Sequence, residues 1–192
     1  MKRISWLFVA VLFGSGTVAY AQDAQSRLIF HPTVTLNEHW FLTGWAIGNV
    51  QKHGSDNLNL FAGVGYKNPK WWLESMVQRH WNGTGNQVLL NFRFQVQASK
   101  RGTLYIEGAP FLTKRAFYDF VTFDYRILRK LNLGAETENV HRGGRDSLGV
   151  GPRISYPIAS VGKTRLAAAF SYQFRREERD VARLYLIVHH QF

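Results

Sequence analysis

Residues 87–97 read Gln-Val-Leu-Leu-Asn-Phe-Arg-Phe-Gln-Val-Gln. On an extended chain Val88, Leu90, Phe92, Phe94 and Val96 share one face, while Gln87, Asn91, Arg93, Gln95 and Gln97 share the other; Leu89 alone is out of step. Side chains alternate across a strand with a period of two, so this stretch forms a ribbon that is apolar on one side and polar on the other. The same alternation returns at 58–66, 121–127, 148–156, 166–174 and 182–192, with weaker versions at 71–81, 104–106 and 131–137. Between these segments lie turn formers: Lys67-Asn68-Pro69-Lys70, Asn82-Gly83-Thr84-Gly85, Ser99-Lys100-Arg101-Gly102, His141-Arg142-Gly143-Gly144 and Ser160-Val161-Gly162. Their short, regular spacing predicts an up-and-down meander.

The first residues carry a different pattern. Lys2 and Arg3 precede an apolar run at 4–13, and Ala19-Tyr20-Ala21 supplies small residues around a cleavage point. This is the order of a secretory signal, and it predicts a mature chain starting at Gln22. The apolar run is too short to cross a bilayer as a helix. Cleavage removes two basic side chains and no acid, so the mature chain stays strongly basic. The absence of cysteine excludes disulfide frameworks, thiolate metal sites and lipoprotein acylation.

An exported chain built of amphipathic strands and ending on the aromatic Phe192 resembles a bacterial outer-membrane β-barrel. The resemblance covers residues 40–192 and identifies a class rather than one family. It implies an all-β, transmembrane, up-and-down antiparallel barrel in the cell outer membrane of a Gram-negative envelope, with its last strand running down to the periplasm. It also implies lipid and lipopolysaccharide around the wall, and recognition of Phe192 by the barrel-assembly machinery. In that orientation Trp40, Tyr66, Trp71, Tyr125, Tyr156 and Phe192 mark the periplasmic interface, and Trp81, Phe117, Tyr172 and Phe174 the outer one. A soluble lipocalin-like barrel would turn its apolar faces inward instead; the Gln-, Asn- and Gly-rich polar faces favour lipid. About ten strands are expected over 39–192, with twelve as the alternative, because bacterial barrels of one chain have an even number. Pro32 argues for setting residues 22–38 apart as an N-terminal segment, although 28–36 also alternates.

A barrel of this size is close to the limit at which side chains fill the interior. The expected inward positions include Arg93, Arg126, Arg153, Arg165 and Arg183, and the acids Glu74, Glu107, Asp124, Glu136 and Glu138. If both hairpins are symmetric about their turns, Glu74 faces Arg93 and Arg93 faces Glu107. That would make a row of alternating charge across three strands, favourable both as cross-strand pairs and as partners for charge in a narrow bore. The small inward residues Gly63, Gly65, Gly149, Gly151, Ala167 and Ala169 read as room for large neighbours such as Trp72 and Met76. A pocket for an acyl chain is the sharper alternative.

Catalytic signals are weak. Gly162-Lys163-Thr164 lacks the upstream glycine of a phosphate loop, because that position is Pro157. His189 and His190 point to opposite faces and cannot share a metal; no metal and no cofactor are expected. His80, His141 and Ser147 are the candidates for a hydrolase on the rim, in the manner of lipid A-modifying barrels. Lys114, Arg115, Arg142, Arg145, Arg175, Arg176 and Arg179 fall at outer ends and suit lipopolysaccharide phosphates. Nucleic acid is not an expected partner, since charge alone specifies none. The expected function is a non-enzymatic, porin-like narrow channel or structural barrel with an ion-paired lumen. A lipid A- or phospholipid-modifying enzyme, and an envelope-complex subunit or adhesin, are the alternatives. The enzyme alternative requires that lipid A from cells carrying the protein show altered acyl chains by mass spectrometry. The leading reading expects identical profiles with and without it.

Overall fold

A computed structural model describes residues 22–192 apart from positions 54, 55, 83, 84, 113, 144, 145 and 177. The expected signal segment and Arg145 lie outside the described residues. Eleven strands follow one another: β1 (Asp23–Thr35), β2 (Trp40–Gln51), β3 (Asn57–Lys67), β4 (Trp71–Asn82), β5 (Gly85–Gln97), β6 (Gly102–Pro110), β7 (Ala116–Arg126), β8 (Asn132–Arg142), β9 (Ser147–Val161), β10 (Thr164–Arg176) and β11 (Val181–Gln191). Each pairs antiparallel with the next, and β1 pairs with β11 to close a barrel. The chain is a transmembrane-type β-barrel, and the alternation decides its sidedness. On β5, Leu89, Asn91 and Arg93 are buried inside while Val88, Leu90 and Phe92 are exposed outside. The pattern repeats on β3, β4 and β11, so these strands turn an apolar face outward, with charge on the wall confined to residues such as Arg79 and Asp119 towards the Asp23 end.

The strand number corrects one expectation. Residues 22–38 are not set apart, since 23–35 form the first barrel strand. Gln25, Arg27, Ile29, His31 and Thr33 point inward and Ser26, Leu28, Phe30 and Val34 outward. Pro32 is tolerated because the β1–β2 ladder skips His31 and Pro32 between its Phe30–Ala46 and Thr33–Thr43 pairs. The ring, which has no N–H to offer, instead sits 3.5 Å from where a Cβ on Gly44 would stand. An odd count has a geometric consequence. The first and last strands of a meander then run the same way, and β1 and β11 are indeed parallel over Asp23–Thr33 against Val181–Gln191.

The barrel therefore has an Asp23 end and a Phe192 end. At the Phe192 end Trp40, Tyr66, Trp71 and Phe94 form a chain of rings with successive centroids 5.2, 5.5 and 6.1 Å apart, and Tyr125, Tyr156 and Phe192 are exposed at the same level. At the Asp23 end Tyr172 meets Phe174 at 5.1 Å, and the outward Arg79 lies 4.8 Å from the Trp81 ring. The small inward residues make way for neighbours. A Cβ on Gly65 would strike the Phe41 ring, one on Gly63 would strike Met76, and one on Gly151 would strike the Tyr172 carbonyl.

The wall predicts a depth-dependent response to charge. Val77 lies mid-strand and outward, whereas Val50 lies outward near the Asp23 end. Val77→Arg should cost about 2–4 kcal/mol and Val50→Arg at most about 1 kcal/mol, read from reversible guanidinium unfolding in phospholipid vesicles. Equal costs would contradict this placement of the wall in the bilayer.

Candidate functional site

The chemistry-bearing side chains converge inside the barrel, in two networks. The first is built on β1 to β6. Cross-strand register sets Glu74 opposite Arg93 and Arg93 opposite Glu107. The contacts are uneven. Arg93 Nη2 donates to Glu107 Oε1 at 3.2 Å and Arg93 Nε to Asn91 Oδ1 at 3.0 Å. Its guanidinium also lies over the Trp45 and Phe61 rings, 4.1 and 4.3 Å from their centroids. Glu74 turns the other way, across the bore towards β1 and β2. Its Oε1 accepts from Thr43 Oγ1 at 2.8 Å and lies 3.1 Å from His31 Nε2, and its Oε2 accepts from Trp45 Nε1 at 3.0 Å. His31 stacks on Trp45 at 3.7 Å, and its Nδ1 lies 3.2 Å from Nδ1 of His189. Glu107 also accepts from Asn91 Nδ2 at 2.7 Å and from the Tyr105 hydroxyl at 3.0 Å.

The second network spans β7 to β11 and β1, and its hub is Glu136, which is fully buried. Glu136 accepts hydrogen bonds from Tyr185 at 2.6 Å, Gln173 at 2.8 Å, Ser171 at 2.9 Å, Arg153 at 2.7 Å and Arg183 at 3.3 Å. Beside it Glu138 pairs with Arg183, with Arg27 at 2.8 Å and with Arg175 at 3.4 Å, and accepts from Tyr118 at 3.0 Å. Arg27 stands on β1 and Glu138 on β8, so this pair is a chord across the bore. Desolvation makes a buried charge costly unless it is paired and fully hydrogen-bonded, and these two glutamates meet that condition through arginines from several strands. Around the two networks the interior keeps a cavity of about 1330 Å³, lined from Asp23 and Arg179 at one end to Arg165 and His189 towards the other.

The remaining candidates are dispersed. His80 faces inward on β4, with Nδ1 2.7 Å from Asn59 Oδ1. His141 lies on the outer face of β8, bonded to the outward Asp119 at 2.8 Å and 3.4 Å from Asp146. Ser147 begins β9 and meets Arg175 Nη1 at 3.5 Å. No two of His80, His141 and Ser147 share a hydrogen bond among the described residues. Lys114, Arg115, Arg142, Arg176 and Arg179 are exposed at the Asp23 end, and Arg142 and Arg179 line the lumen cavity. Arg175, read from the sequence as a loop cation, is drawn inward to Glu138 and to Glu178 at 2.5 Å. Its parity with Ser171 and Gln173 was the available signal. Arg27 and His31 were missed with their strand, though their alternation with Leu28 and Phe30 was legible.

No family model matches this chain, and no curated protein matches it. Among solved structures it is similar to a KdgM porin described in complex with disordered oligogalacturonate, with a TM-score of 0.56 and 12% sequence identity over 82% of this chain and 92% of that one. Identity this low shows a shared fold: that of a porin-like outer-membrane barrel.

Removing the hub carboxylate should leave Arg153 buried without its main partner and Arg183 with Glu138 alone. Glu136→Ala should therefore lower stability by about 3–5 kcal/mol, measured by unfolding in vesicles. Lys100→Ala, in an exposed turn, should leave it within about 0.5 kcal/mol. A hub variant as stable as the parent would show that the second network does not hold the barrel.

Proposed function

We propose that this protein is a non-enzymatic outer-membrane barrel acting as a narrow channel, with a lumen braced by ion pairs. The observation that carries this reading is the chord from Arg27 to Glu138 at 2.8 Å, set beside a cavity of about 1330 Å³ that extends towards both ends. Braces of this kind stiffen a barrel and divide its bore, leaving room for small solutes and excluding large ones. The porin fold of the similar structure supports the same reading. The dispersal of His80, His141 and Ser147 weighs against a hydrolase, which needs nucleophile and base within hydrogen-bond reach. Export by cleavage after Ala21, insertion guided by Phe192, and a lipopolysaccharide collar held by Lys114, Arg115 and Arg176 complete the proposal. Those three cations, unlike Arg142, Arg175 and Arg179, are outside the lumen lining.

Single-channel recording in planar bilayers tests it. The protein should give small, stable conductance steps. Replacing the chord as a pair, Arg27→Ser with Glu138→Ser, should raise the step size by about twofold or more, because the obstruction and its charges leave together. An absence of steps across several lipid compositions would refute the channel and leave a structural barrel. Steps unchanged by the double substitution would refute the chord as the constriction.

A further inference from the structure

The lumen charges are not evenly matched. Each carboxylate of the two networks and of the cavity lining has a basic partner. Glu107 has Arg93 at 3.2 Å, Asp124 has Arg153 at 3.6 Å and Glu136 has Arg153 at 2.7 Å. Glu138 has Arg27, Arg175 and Arg183, Glu178 has Arg175, Glu74 has His31 at 3.1 Å and Asp23 has His53 at 3.5 Å. The reverse does not hold. Arg142, Arg165 and Arg179 line the cavity with no carboxylate in ion-pair range among the described residues. Their positions are also ordered. Arg142 ends β8 and Arg179 precedes β11, both at the Asp23 end. Arg165 lies one residue into β10 at the Phe192 end, directly across the ladder from His189, which in turn stands opposite His31.

We propose that the bore conducts small oxyanions, held in passing at two guanidinium stations: Arg142 with Arg179 at one mouth, and Arg165 at the other. This inference rests on the channel reading above. A narrow passage with low-dielectric walls focuses the field of its unbalanced charges, so the sign of the surplus decides which ion enters. Apart from Asp23 at one mouth, a cation meets no carboxylate of the cavity lining without an arginine partner, whereas an anion meets unpaired guanidinium groups at both ends. Arginine adds a preference by shape, since its planar fork matches the two oxygens of a carboxylate or a phosphate. The braced middle limits the solute to small species.

Reversal potentials in a potassium chloride gradient test the charge. Chloride should be favoured over potassium by about threefold or more, and Arg165→Gln and the pair Arg142→Gln with Arg179→Gln should each lower that ratio. Arg79→Gln, on the lipid-facing wall, should leave it unchanged. Succinate and inorganic phosphate, added separately at one side, should reduce chloride current, with the weaker blocker identifying the less favoured oxyanion. Arg165→Lys should keep the chloride preference but weaken the block, since it keeps charge and loses the fork. Heat-dependent gel migration checks that each variant forms the barrel; should Arg165→Gln not fold, the Arg142, Arg179 pair and Arg165→Lys carry the comparison. Steps that favour potassium, or favour neither ion, would overturn the anion proposal while leaving a channel. So would a chloride preference that the folded charge-removing variants do not lower, or one accompanied by block from neither oxyanion. An absence of steps would overturn the channel reading itself.

Discussion

Hydrocarbon offers nothing for a backbone N–H or C=O to bond with. A sheet placed in it must satisfy all its own groups, and only closure does so. Every ladder in this barrel, including the junction between first and last strand, follows from that requirement. Closure also converts a linear alternation into an inside and an outside. The apolar positions of β3, β4, β5 and β11 become one outer surface, and the polar positions are brought together around a common axis.

The interior resolves that crowding by charge pairing. The two networks differ in kind. Around Glu74 and Arg93 the polar groups are interleaved with Trp45 and Phe61, so the guanidinium is held as much by ring faces as by its glutamate. Around Glu136 and Glu138 nearly every contact is charge-assisted, and partners arrive from β1, β7, β9, β10 and β11. On the channel reading proposed above, stability and permeation draw on the same side chains: groups that hold the wall in shape also occupy the space through which a solute would pass. On the same reading the unpaired cations at the mouths would set what enters, since the paired charges between them largely cancel.

Much of the architecture was legible in the chain because strand alternation and turn chemistry are local. The face of Val88, Leu90 and Phe92 needs only a period of two, and the opposition of Glu74, Arg93 and Glu107 needs only a symmetric hairpin on each side. Contacts that depend on curvature were not legible. Glu74 sits across from Arg93 in the ladder, yet its carboxylate goes to Thr43 and Trp45, because bending the sheet brings β2 over β4. The pairing of Arg27 with Glu138 spans 111 positions and exists only once the ends of the sheet have met. Pro32 misled for a physical reason of the same sort: the missing N–H is costly in a complete ladder, but this ladder is interrupted where the proline falls.

The parallel junction of β1 with β11 has a topological cost that an even-numbered barrel avoids. Both strands travel in the same direction through the membrane, so the polypeptide entering β1 and the polypeptide leaving β11 stand on opposite faces of the bilayer. In the orientation the resemblance implies, with Phe192 on the periplasmic side, the amino-terminal edge of the wall would have to be delivered to the outer face before it could be stitched to the last strand. Reporter groups attached at the two edges of the barrel would accordingly be accessible from different compartments.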